Sequence, residues 1–111
     1  MAVTIGLKIG DTIPTSKGDL ANVFTKILSF ETYKEISVLV AYYETQADYD
    51  DNKPSVSTFL PSRPNINPYV ADNTDYQNAG EFSNTVVYSI LRDAMLDAEG
   101  EFKLTTVTKV T

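Results

Sequence analysis

Histidine and cysteine are both absent from the 111 residues of this chain. Histidine is the side chain whose ordinary pKa lies nearest neutrality, and so the usual general base. Cysteine supplies the thiolate nucleophile and, with histidine, most transition-metal ligands. A catalyst built from this sequence would depend on carboxylates, Ser, Thr, Lys or Tyr, and nothing in the chain arranges those convincingly. No disulfide framework is open to it. Basic residues are scarce as well: nine stand against fifteen acidic ones, a formal charge of −6. Such a field repels phosphate backbones and anionic lipid surfaces, so neither nucleic acid nor a membrane is expected as a partner. No apolar run approaches the ~20 residues of a membrane helix. The first residues lack a charged region followed by an unbroken apolar stretch, so no signal peptide is expected and synthesis is read as cytoplasmic. Glycines are few and dispersed, with no phosphate-cradling loop.

What is present fits a single domain over residues 1–111, with 42% apolar residues to bury. Residues 3–9 alternate Val3, Ile5, Leu7 and Ile9 with polar or small neighbours, the period of a half-buried strand. Gly10, Asp11 and the stretch 14–18 read as turns. Residues 19–31 point two ways. Leu20, Val23, Phe24, Ile27 and Leu28 recur at helical spacing behind Asp19 as an N-cap, yet Val23, Thr25, Ile27, Phe24 and Phe30 favour a strand. Residues 36–44 form the strongest strand pattern, apolar on both faces over 38–41, which predicts a central position in its sheet.

Between Glu44 and Glu81 lie four of the five prolines and five asparagines, with a short strand expected only over 56–60. A long irregular loop of this kind is generally functional or ordered by a partner. From Ser83 the pattern turns helical. Val86, Val87, Ile90, Leu91, Ala94 and Met95 make one apolar stripe, which predicts a helix over about 84–98. Ser83 or Asn84 would cap it, Phe82 would staple against Val87, and Gly100 would close it in a left-handed C′ position. Residues 102–110 read as a last, threonine-rich strand.

Asp48, Asp50 and Asn52 imitate the start of a calcium loop, but Lys53 and Phe59 stand where glycine and glutamate are required, so the segment reads as a solvated acidic turn. Glu31 with Glu35, or Asp50 with Asp51, lacks the cleft that a carboxylate pair needs for glycoside hydrolysis, and reads as surface charge. No catalytic, metal or cofactor residue is therefore assigned. Tyrosine combines a rigid ring with a polar tip and is enriched at recognition surfaces. Tyr49, Tyr69 and Tyr76 lie in the proline-rich segment with Arg63, its only arginine. These four are the interface candidates.

The order Asn22-Val-Phe-Thr-Lys-Ile-Leu-Ser-Phe30, a short polar turn, Ile36-Ser-Val-Leu-Val-Ala-Tyr-Tyr43, an irregular stretch and Thr85-Val-Val-Tyr-Ser-Ile-Leu-Arg-Asp-Ala-Met95 resembles a group of small tailed-bacteriophage structural proteins. The likeness spans roughly residues 22–100 as a pattern without an invariant motif. The long middle insertion and the continuation after Ala98 depart from it. The resemblance favours a strand over 22–30 and carries no site residues. It implies a non-enzymatic virion protein of the tail, baseplate or fibre-attachment region, homo-oligomeric, in contact with other virion proteins and located in the virion. A capsid decoration protein is the close variant, and a glycan- or ligand-binding module using exposed tyrosines is the rival from another class. The fold expected is α+β: a small antiparallel sheet on 23–31 and 36–44 against one C-terminal helix, with the termini, 1–10 and 102–111, pairing with each other or with a neighbouring subunit.

Overall fold

The alternation near the start of the chain becomes β1 (Gly6–Ile9), in which Leu7 and Ile9 are buried and Lys8 is exposed. The computed structural model describes residues 3–111. The strand is shorter than the 3–9 expected, because Thr4 turns away to place its amide 3.4 Å from the Thr85 hydroxyl. β1 is followed by β2 (Ile13–Thr15) and β3 (Gly18–Leu20), a small hairpin where only turns were predicted. Gly18 at φ +91° permits its tight reversal.

The two-way segment resolves as β4 (Val23–Glu31), paired antiparallel with β5 (Ser37–Tyr43). Helical spacing loses here because cross-strand partners on both sides take up its backbone groups. A bulge between Ile27 and Ser29 leaves Leu28 as the extra residue. The Ile27 amide near the bulge donates instead to the Tyr88 hydroxyl at 2.8 Å. The strand order is β5-β4-β1-β6, with β6 at Val107–Val110, and every pairing is antiparallel. The two terminal strands thus pair with each other. Only Val107–Val110 of the expected 102–110 strand forms; Phe102 and Leu104 instead bury their side chains from irregular backbone.

Two further expectations fail. β5 lies at the sheet's edge, although its sequence reads as central, and 56–60 is not a strand. The residues after β5 form α1 (Gln46–Asp50), a single 3-10 turn at Asn67–Tyr69 and α2 (Thr74–Ala79), so the 44–81 stretch is a string of short helices and pinned loops. The acidic turn read at Asp48–Asn52 is largely helix α1, capped by the Thr45 hydroxyl on the Asp48 amide. Glu31, Glu35, Asp50 and Asp51 are exposed.

α3 (Asn84–Leu96) buries the whole predicted stripe, and Tyr88 and Ser89 as well. Ser83 caps it, accepting from the Val86 amide. It ends two residues short of the expected 98, at an extended Asp97, and Gly100 is not left-handed. The reason for glycine there is proximity: a Cβ on Gly100 would stand 2.9 Å from the Tyr69 hydroxyl. The left-handed glycine stop belongs to Gly80, behind α2. Phe82 stacks on Tyr76, with ring centroids 4.7 Å apart.

α3 covers one face of the sheet, the inner one, where Leu7, Ile9, Val23, Val38, Val40, Tyr42 and Val107 join its stripe in one core. Each large apolar side chain so buried contributes about 1.5–3 kcal/mol. Thr25 sits on that face between Leu7 and Tyr42, its buried hydroxyl lacking a hydrogen-bond partner. On the outer face Phe24 is buried over Gly6, where a Cβ would overlap its ring.

Candidate interaction surface

The four residues singled out by composition go to separate places. Tyr49, on α1, folds back over the outer face of the sheet. Its ring is 5.1 Å from Tyr43 in an edge-on arrangement and 5.9 Å from Phe24, with the Lys26 ammonium 5.0 Å from its centroid. Tyr69, in the 3-10 turn, donates its hydroxyl to Asp97 Oδ2 at 2.7 Å. That hydrogen bond, then burial, pushes Tyr69 up to about 12, and the same bond with the Glu99 amide holds Asp97 below the usual carboxylate range. Tyr76, on α2, lies against Phe82. Arg63 alone of the four is exposed. Among the described residues no hydrogen bond or ring contact joins any two of the four.

Backbone bonding explains why the segment bearing them holds its shape. Val56 donates to the Tyr42 carbonyl and Val40 to the Ser62 carbonyl, both at 2.8 Å, while the Asn67 side chain accepts from the Ile36 amide at 2.8 Å. The Tyr42 hydroxyl donates to the Pro61 carbonyl at 2.7 Å. Burial, with the charge of Glu101 nearby, pushes Tyr42 well above the ordinary tyrosine range. Residues 56–67 therefore run along the outer edge of β5, bonded to it at three points without becoming a strand, and Val56, Leu60 and Ile66 plug the core beneath.

From that sealed ribbon the side chain of Phe59 stands out, 65% exposed, four positions before Arg63. Sequence reading passed over Phe59, because Phe59-Leu60 reads as the end of a strand and gives no sign which of the two is buried. Asn73 was also missed. It is buried, caps α2 by accepting from the Tyr76 amide, and donates to the Ser89 hydroxyl at 3.1 Å and to Asp93 Oδ2 at 2.8 Å. An asparagine ahead of Thr-Asp-Tyr is an N-cap signature that would have found it.

The opposite edge of the sheet is different. Gly10 donates to the Thr106 carbonyl at 2.7 Å, and Lys8 lies opposite Thr108, so the even-numbered residues of β6 bond to β1 and the odd-numbered ones face outward. Arg92 Nε donates to the outward Val107 carbonyl at 2.8 Å. No described residue pairs with the outward N–H and C=O of Lys109. Grooves flank this stretch on both faces. The inner one, about 710 Å³, includes Val3, Ala79, Val86 and Lys109, and the outer one, about 400 Å³, includes Lys8, Asn22, Gln46 and Thr108. Lys109 Nζ donates to Asp75 Oδ2 at 2.8 Å. That bond first, with the Ser89 hydroxyl, keeps Asp75 below the usual carboxylate range.

Among the described residues no group of three or more acidic side chains is placed to hold a metal ion, and no helix is long and apolar enough to cross a membrane. Comparison with protein-family models, with curated proteins and with solved structures finds no match to this chain.

Proposed function

We propose that this protein is a non-enzymatic structural component of a tailed-bacteriophage virion, making subunit contacts in the tail, baseplate or fibre-attachment region. One observation carries the contact role: a proline-rich ribbon is bonded along the β5 edge and still presents Phe59 and Arg63 outward. Aromatic and arginine anchors on a pre-organised scaffold supply most of the binding energy of protein interfaces. The placement in a virion comes from the resemblance of residues 22–100 to small phage structural proteins. A glycan-binding role is less favoured, since among the described residues Tyr33 is the only exposed tyrosine, at 81%. The others give part of their rings to intramolecular packing.

Light scattering across a concentration series tests the reading. The parent chain is expected to form a defined oligomer whose residues 57–63 exchange amide hydrogens slowly, and Phe59→Ala with Arg63→Ala to weaken association about tenfold or more. A monomer at every concentration, with the double variant indistinguishable from the parent, removes the support for an assembly role.

A further inference from the structure

We infer that the outer edge of β6, at residues 109–111, is a strand-addition site, and that its occupant is an extended partner segment alternating apolar with acidic side chains. The inference rests on the assembly reading above and names the chemistry of one contact. Its basis is the contrast between the two edges of one sheet. The β5 edge is bonded by 56–67 at Ile36, Val40 and Tyr42, whereas at β6 the outward N–H and C=O of Lys109 and the N–H of Thr111 meet no described partner. Arg92 occupies the Val107 carbonyl, so addition is confined to the end of the strand. A strand laid there gains main-chain hydrogen bonds, and its alternate side chains fall on opposite faces of the sheet.

The two grooves set what those side chains are. On the inner face an added side chain meets Val3, Ala79 and Val86 beside the already paired Lys109 and Asp75, in a wall whose exposed surface is mostly apolar, which favours an apolar residue. On the outer face it meets Thr108, behind which stands Lys8, its register partner, with the amides of Asn22 and Gln46. Lys8 is exposed and has no ion pair among the described residues, and the outer groove has no acidic side chain in its wall. An aspartate or glutamate there gains a charged partner. A second copy of β6 fits poorly: the strand holds no acidic residue, so a symmetric pairing brings Lys8 no carboxylate.

The test titrates the full chain with a synthetic peptide, about eight residues long, alternating valine and glutamate, against one alternating valine and lysine. Hydrogen exchange is read at the Lys109 and Thr111 amides. The valine-glutamate peptide is expected to bind saturably, slow both amides and weaken with added salt. Lys109→Pro and Lys109→Ala both lose the Asp75 ion pair, but only the proline also loses the outward backbone donor, so Lys109→Pro should bind about tenfold or more weakly than Lys109→Ala. Lys8→Glu, an exposed change on the neighbouring strand, should weaken binding even if the proline variant does not fold. Equal binding of the valine-lysine peptide overturns the proposal. So does unchanged exchange at both amides, or slow exchange that deepens with protein concentration and no peptide, which assigns the edge to a second copy. Loss of peptide binding with oligomerisation intact refutes the strand site alone. Loss of oligomerisation with peptide binding intact refutes the Phe59–Arg63 contact alone.

Discussion

Asp11 joins the first turn of the chain to residues more than ninety positions away. Its carboxylate accepts from the Thr105 amide at 3.0 Å, the Thr105 hydroxyl at 2.8 Å and the Thr106 amide at 2.8 Å. Partial burial alone would raise its pKa, but these bonds outweigh it and hold the carboxyl below the ordinary value of 3.8. A depressed carboxyl contributes stability that is fully present above its unfolded pKa and is lost as pH falls through the folded value. Asp11→Ala is therefore expected to cost about 1 kcal/mol near neutrality, a charged hydrogen-bond cluster discounted for solvent screening. The difference from the parent should shrink as pH drops below about 4. Urea denaturation at neutral and acidic pH checks both. A gap that does not shrink at all as pH falls below about 4 would show that the side chain acts by packing and not by its charge. Asn73 is the corresponding hub on the helical side, and its three side-chain bonds join α2 to α3.

At the scale of elements, β1 is held by what its neighbours lack. It lies between β4 and β6, and its Gly6 gives the Phe24 ring the space to lie flat on the outer face under Tyr49. A Cβ there would also approach the Thr25 carbonyl oxygen at 2.9 Å. Gly6→Ala is expected to destabilise by about 1–3 kcal/mol, the usual cost of forcing a well-packed contact apart. Near-UV circular dichroism should lose part of its tyrosine signal as Tyr49 and Tyr43 shift with Phe24. A variant as stable as the parent, with its tyrosine signal unchanged, would contradict this packing. Glycine at position 6 fits a strand's alternation as well as any small residue, so its steric role was not visible in the sequence.

For the molecule as a whole, the core runs without interruption from the sheet through α3 to Val56, Leu60 and Ile66 of the long segment. One contiguous core predicts one cooperative transition. Thermal unfolding followed by far-UV circular dichroism and by tyrosine near-UV signal should give coincident curves. An earlier tyrosine transition would instead mark residues 44–81 as a unit that detaches before the sheet melts.

The sequence by itself determined what local chemistry controls. The alternation of Val38, Val40 and Tyr42, the stripe from Val86 to Met95 and the Ser83 cap each lie within one element, so periodicity and capping specify them directly. The absence of histidine and cysteine, and the charge, likewise need no coordinates. Tertiary structure alone decided which neighbours those elements meet. Alternation says which side chains a strand buries, not whether its hydrogen bonds end on another strand or on the Ser62 carbonyl, so an edge strand sealed by a ribbon looked central. It also decided the fate of the candidate residues. A tyrosine ring serves a core, an aromatic cluster or an interface equally well, and only the fold sends Tyr49 onto Phe24, Tyr69 to Asp97 and Phe59 out into solvent. Chain segments tens of residues apart fix these outcomes, through contacts that no local pattern encodes.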